Sequence, residues 1–464
     1  MSLLLLAGCD LSPRFIHPAV TMAPSFPDRG QQPGPPSIAT TGWRDFFAEP
    51  ELQALIARAI AQNSDIRIAA ARVAEAREAI RLRGADLLPQ VSTSADMSKI
   101  GVPDNLAAFA GKNVFTSYSG FAEARWEIDF FGRLRNLRTE AREQYLASDE
   151  ARLAVQTSLI AQVAAGYLAD REYGERLTLA RDSLANRVES LRIISRRYQV
   201  GSGSKLEVTQ AETLRTQAAA EIETLELARA QNLDALALLA GEPIAAADFR
   251  QSLGRIGLDQ PIPAGLPSDL LVNRPDIVAA EHRLRAANAD IGAARAAFFP
   301  SITLTAAGGS ESGALGNLFS RGTGLWLFQP SVSLPIFAGG KLRANLRLSE
   351  AQRDELLGDY QKAVQSAFRD CADALAQRHW LAEQIVTGEQ AVSALTERVR
   401  LAKLRYDAGR SAYLEVLDAE RDLFSAQQNL VALRRAWLAS GVALYAALGG
   451  GVSDHIPPAP EARP

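Results

Sequence analysis

Residues 197–212 read RYQVGSGSKLEVTQAE and residues 405–420 read RYDAGRSAYLEVLDAE, 208 positions further on. The two stretches share Arg197/Arg405, Tyr198/Tyr406, Gly201/Gly409, Leu206/Leu414, Glu207/Glu415, Val208/Val416, Ala211/Ala419 and Glu212/Glu420. Other echoes keep nearly the same offset: 63–90 resembles 273–301, and FFGRLRN at 130–136 resembles FAGGKLRAN at 337–345. The chain is therefore a tandem duplication, and its unit is far longer than a solenoid repeat. The spans are 43–242 for the first repeat, 243–267 for a linker, 268–451 for the second and 452–464 for a tail.

Composition removes several classes of function. With 47% hydrophobic residues, 22% charged and a net charge of −3, the chain can bury a large core and has no basic excess for nucleic acid. Its histidines, His17, His282, His379 and His455, stand far apart, and Cys9 and Cys371 have no CxxC partner, so spacing gives no metal site. GSGSK at 201–205 lacks the spacing of a phosphate loop, and no nucleophile, base and orienter combination is visible, so no enzyme and no cofactor is expected.

The start, LLLLAGC at 3–9, resembles a bacterial lipobox. Residues 1–8 then read as the remnant of a signal peptide and 9–42 as a tail whose Cys9 carries covalent lipid. Asp10 follows directly, a position at which aspartate holds some bacterial lipoproteins in the inner membrane.

Proline parses the rest. None falls between Pro103 and Pro243 or between Pro335 and Pro457, and both spans are rich in strong helix formers. Each predicts a long helical hairpin: about 134–200 and on to 239, then about 342 through Gly409 to 448. Helices over about 51–86 and 268–297 precede them. Between the helices the period changes to two. In 116–129, Tyr118, Ala122, Ala124, Trp126 and Ile128 oppose Ser117, Ser119, Glu123, Arg125, Glu127 and Asp129, and in 326–337, Trp326, Phe328, Val332, Leu334 and Ile336 oppose Gln329, Ser331 and Ser333. Segments 89–97 and 300–307 complete four strands.

A soluble sandwich would bury the apolar faces against each other. A barrel turns them to lipid, and no stretch of the sequence approaches the ~18 consecutive apolar residues of a spanning helix. Four strands cannot close, and open edges are not tolerated in hydrocarbon. Several chains must contribute, and twelve strands from three is the smallest closure expected to conduct water. Tyr118, Trp126, Ile128, Trp326, Phe328 and Val332 would face lipid.

NRPDIVAAEHRLRAANADIGAARAAFFPSITLTAAGG (273–309), LPIFAGGKLRAN (334–345) and RYDAGRSAYLEVLDAERDLFSAQQ (405–428) resemble signature stretches of TolC-like outer-membrane efflux proteins, in the lipoprotein branch often labelled NodT-like. The resemblance spans about residues 40–450. It implies a mainly α chain with transmembrane β: duplicated helical hairpins forming an α-barrel, and four strands lent to a trimeric twelve-stranded outer-membrane β-barrel. It further implies an exit duct reaching into the periplasm, with a periplasmic adaptor and an inner-membrane pump of the resistance, nodulation and division (RND) class as partners. The repeated phrase becomes the tip of each hairpin, with Tyr198, Gly201, Tyr406, Gly409 and Arg410 docking the adaptor. Leu414, Glu415, Asp418 and Arg421, with Glu207 from the first copy, match positions of the family's periplasmic aperture. Gln210 stands where the second copy has Asp418. The rival reading is a lipid-anchored periplasmic coiled-coil scaffold without a pore.

Overall fold

The computed structural model describes residues 10–20, 26, 41–103, 113–245, 249, 252–255 and 270–450. Cys9, the 1–8 remnant and the 452–464 tail lie outside them. In chain order the elements are α1 (Trp43–Phe46), α2 (Pro50–Gln62), α3 (Ser64–Ala85), β1 (Gln90–Gly101), β2 (Val114–Ile128), α4 (Arg133–Gln199), α5 (Lys205–Ala240), α6 (Leu270–Asn273), α7 (Pro275–Ala296), β3 (Ser301–Ser312), β4 (Gly324–Ser333), α8 (Lys341–Asp407) and α9 (Tyr413–Ala447). Short 3₁₀ turns lie at Leu253–Arg255 and Leu315–Asn317.

The duplication is visible element by element: α4 and α8 each have 67 residues. Two expected helices are broken. The one over 51–86 divides at Asn63, whose side-chain carbonyl accepts from the amides of Asp65 and Ile66 at 2.8 and 3.2 Å and so restarts the chain as an N-cap. The one over 268–297 divides before Pro275, which lacks an amide hydrogen and tolerates only the first turn. The last strand also stops early, at Ser333, because Pro335 cannot donate to a ladder.

The described residues form two compact units that cut across the repeats: those within 1–19, 71–149 and 279–361 in one, and those within 20–70, 150–278 and 362–464 in the other. The first unit holds all four strands in a single antiparallel sheet of order β1-β2-β3-β4. The central pair joins the repeats, with Trp126 opposite Leu304 and Ile128 opposite Ile302. The outer pairs set Val91 opposite Ala124 and Phe328 opposite Ala306. Because side chains alternate with period two, this register collects Val91, Met97, Tyr118, Trp126, Ile128, Leu304, Trp326, Phe328 and Val332 on one face. Gln90, Ser92, Glu123, Arg125, Glu127, Thr305 and Gln329 share the other. No second layer covers the apolar face among the described residues: Trp326 is 82% exposed and Val332 68%. The sandwich reading therefore fails on packing.

Residues 10–17 run along α7 as an extended strap. The Asp10 carboxylate accepts from the Ser12 amide at 2.9 Å and from Asn136 Nδ2 at 3.1 Å. The Pro13 carbonyl accepts from Asn288 at 2.5 Å, Arg285 lies 5.1 Å over the Phe15 ring, and His17 sits 3.2 Å from Glu281.

The second unit contains the main core. Trp43, Phe47, Leu52, Leu55 and Ile56 from α1 and α2 pack on Ile160, Val163, Tyr167 and Leu168 of α4, Leu236 of α5, and Val442 and Tyr445 of α9. Phe46 stacks on Tyr445 at 4.1 Å, and the Tyr445 hydroxyl donates to the Thr41 carbonyl at 3.0 Å. Helix α9 is long and apolar enough to span a bilayer, but half of that window is buried in the protein. Cys371 is fully buried, its Sγ 3.3 Å from the Ala447 carbonyl, and burial pushes its thiol up to about 12.

Thiolate is the form that reacts. Native protein at pH 8 should therefore leave Cys371 unlabelled by N-ethylmaleimide over hours, and denaturation should expose it. Labelling of native Cys371 within minutes, read by mass spectrometry of the peptide, would contradict this burial.

Candidate functional site

The repeated phrase ends α4 and α8 in the same way. The Gly201 amide donates to the Tyr198 carbonyl at 3.0 Å and the Ser202 amide to the Arg197 carbonyl at 2.9 Å. In the second copy Gly409 donates to Tyr406 at 2.8 Å and Arg410 to Arg405 at 2.9 Å. Both are Schellman closures, and both require a left-handed residue, supplied by Gly201 at φ 79° and Gly409 at φ 69°. The shared Arg, Tyr and Gly positions of the phrase are thus the backbone partners of one turn. Its Val and Ala positions turn inward: Val416 and Ala419 pack with Val399 and Ala402 in a small core flanked by Tyr406 and Tyr413.

The copies part at the next helix. Ser204 caps α5, accepting from the Glu207 amide at 3.2 Å while the Glu207 carboxylate accepts from the Ser204 amide at 2.9 Å. Glu207 is thereby committed to a capping box. In the second copy Ala412 stands at the cap and offers no side-chain acceptor. Glu415, the counterpart of Glu207, instead faces Arg405 at 3.4 Å.

On α9, Leu414 and Glu415 are exposed and Asp418 is half-buried, with Leu414 44% exposed. Arg421 reaches Asp418 at 3.2 Å and Asp422 at 3.2 Å. A hydrogen bond from Arg398 at 2.8 Å, aided by Arg421, holds the Asp422 carboxyl below its ordinary value. That pair contributes fully above the free-carboxyl range and fades only as pH falls through the lower folded value, so it persists at neutral pH.

Helix α4 ties the two hairpins together at several levels. Arg197 donates to the Tyr406 hydroxyl and lies 5.2 Å over its ring. Tyr413 hydrogen-bonds Ser190, and burial raises its phenol above the usual range. Arg187, buried over the Phe424 ring, donates to the Leu214 carbonyl at 2.8 Å; burial lowers its guanidinium value against the pull of Glu420. Farther from the tips, the buried carboxylate of Glu172 holds Arg435 at 2.8 Å and Arg176 at 3.0 Å, while Arg176 and Gln428 exchange two hydrogen bonds. Sequence reading missed this layer, because polar residues on a long helix look solvated until the partner helix is placed.

Among the described residues no group of histidine, cysteine and acidic side chains could hold a metal ion. An open single-layer sheet with one bare apolar face, joined to two long helical hairpins, is the architecture of an outer-membrane channel subunit.

The model of the family described as outer membrane efflux protein matches residues 55–242 and 266–450, one segment per repeat. The chain belongs to this family. It is 42% identical to the toluene efflux pump outer membrane protein TtgI of Pseudomonas putida, over 97% of each chain. It is 36% identical to the probable outer membrane lipoprotein SilC of Salmonella typhimurium, again over 97% of each. The solved open state of the Neisseria gonorrhoeae MtrE outer membrane channel superposes with a TM-score of 0.86 at 37% identity, covering 96% of this chain and 98% of that one. The protein is an efflux component of the outer membrane.

The capping difference has a measurable sign. Ser204→Ala should weaken the start of α5 by about 1 kcal/mol, read as faster amide exchange at 205–208, whereas Ala412→Ser should slow exchange at 413–416. Equal and unchanged protection at both starts would show that neither cap governs its helix.

Proposed function

We propose that three copies of this chain close a twelve-stranded barrel and form a passive exit duct for a tripartite efflux system. One observation carries the reading: a four-stranded sheet whose apolar face is bare and whose β1 and β4 edges are unpaired among the described residues of the chain. Such a sheet satisfies its backbone in hydrocarbon only by pairing β4 of one copy with β1 of the next. Tyr118 toward one end of β2 and Trp126 toward the other are placed to meet the two interfaces, with Trp326 on the same lipid-facing side at a level between them. The opposite face, with Glu123, Arg125 and Glu127, lines water.

The hairpin tips reach into the periplasm in this arrangement. Threefold symmetry makes rings of Leu414, Glu415 and Asp418, which select for cations and gate by dewetting. Glu207, held in its capping box, stays outside the ring. Tyr198, Gly201, Tyr406, Gly409 and Arg410 present the adaptor-docking surface, and exposed Val200 and Leu206 add apolar area to it. An inner-membrane pump of the RND class supplies the energy. Lipid on Cys9, as the name of SilC suggests for that relative, anchors the terminus. The cargo is small toxic molecules, in keeping with the toluene pump of TtgI.

Light scattering on detergent-purified protein, corrected for bound detergent, should give a mass near three chains. A monodisperse single chain would leave the edges open and remove the basis for the duct. In planar bilayers, Asp418→Ala combined with Glu415→Ala should raise single-channel conductance and lower cation preference; currents identical to wild type would place the constriction elsewhere.

A further inference from the structure

The first two turns of α4 carry Arg133 and Arg135, and its first turn holds no acidic residue, the reverse of what a helix N-terminus favours. Arg138 and Arg142 follow, so that Arg135, Arg138 and Arg142 fall at i, i+3 and i+7 on one face. They line an open groove of about 650 Å³ together with Thr139, Tyr145, Leu146 and Ile80 of α3. Arg135 is paired with Asp129 at 3.3 Å. Among the described residues neither Arg138 nor Arg142 has an ion pair or a hydrogen bond. Nearby carboxylates are engaged elsewhere: Glu143 holds His282 at 2.7 Å, Glu78 holds Arg81 at 2.7 Å, and Asp86 lies 3.8 Å from Arg83. Glu140 faces away toward Asp290, and burial raises its carboxyl, which weakens it as a counter-ion. The groove is positive, and the described residues leave it so.

We propose that this groove binds the phosphodiester of a phospholipid in the inner leaflet of the outer membrane. The inference rests on the reading that β2 crosses that membrane. Helix α4 begins five residues after β2 ends at Ile128, so its first turns lie against the headgroup layer, which is roughly 5 to 7 Å deep on each side. Arg142 stands about 10 Å below Arg135 along the axis, but helical side chains lean toward the N-terminus, here toward the membrane, and long arginines extend that reach. Guanidinium groups match phosphate oxygens in a fork geometry. Ile80, Leu146 and the Tyr145 ring give the glycerol and first methylenes an apolar wall.

The test is native mass spectrometry of the detergent-purified protein with added phosphatidylglycerol, beside light scattering of the same samples. Wild type should retain the lipid, Arg138→Gln with Arg142→Gln should retain it at least tenfold less, and Arg138→Lys with Arg142→Lys should keep most of it. Equal retention by the glutamine variant overturns the proposal. Displacement of the lipid by millimolar inorganic phosphate also overturns it, since the site then takes a free anion. Wild type without lipid, and a glutamine variant that falls from three chains to one, would overturn it too and assign the arginines to carboxylates of a neighbouring copy. A single-chain mass for wild type would sink the duct reading by itself, whatever the lipid result.

Discussion

Backbone hydrogen bonding in hydrocarbon is the constraint on which this architecture depends. Inside the sheet three antiparallel ladders join the strands, but among the described residues the outer edges of β1 and β4 have no partner strand. In water such edges cost little and invite aggregation. In a bilayer each unmatched group costs several kcal/mol, a sum no other contact in the chain could offset. In the proposed trimer, closure by identical neighbours would remove the cost and turn a row of alternating residues into a wall with lipid on one side and water on the other. The close pairing within the chain is built for this: a Cβ on Gly309 would collide with the Gly120 carbonyl oxygen, so the two strands at the repeat boundary approach where only glycine fits.

The helical part obeys different rules. Long helices with mostly exposed faces gain little from a shared core, so polar links between hairpins carry much of the specificity. Deep in the second unit these links are buried and multiply satisfied, as around Glu172, Arg176, Gln428 and Arg435. Near the tips they thin to contacts such as Arg197 on Tyr406, while Lys403 and Glu420, 2.8 Å apart, link only the two helices of one hairpin. Exposed pairs of this kind contribute little in water. The turn end of the hairpins is therefore the end whose internal contacts are easiest to exchange.

Much of this was legible in the sequence, for identifiable reasons. The long helices could be read because proline was absent over their spans, and the sheet faces because period two runs through most of 116–129 and 326–333, broken only at Phe121 and Leu327. The turns could be placed because a Schellman closure needs glycine at one position, and Gly201 and Gly409 stand there. What escaped was decided by single side chains or by distant partners. Asn63 caps the middle of an otherwise continuous helical pattern, and it also donates to the Leu239 carbonyl at 3.0 Å, a partner 176 residues away. Glu207 and Glu415 look equivalent in an alignment of the repeats, but a serine three residues earlier in the first copy, where the second has alanine, sends one carboxylate to a backbone amide and leaves the other to Arg405. The unpaired arginines of α4 gave no signal, because a basic stripe on a helix reads as solvated until its neighbours are known.

The equal length of α4 and α8, 67 residues each, has a consequence for how such a chain can change. A heptad added to one helix would advance its turn by about 10 Å, separating Arg197 from Tyr406 and putting the two tips out of step. The same heptad added to the return helix as well would preserve that hairpin but not its match to the other. Length is thus a shared gauge: a change in the reach of the hairpins must edit all four long helices together, and indels in this fold should be found in coordinated sets rather than singly.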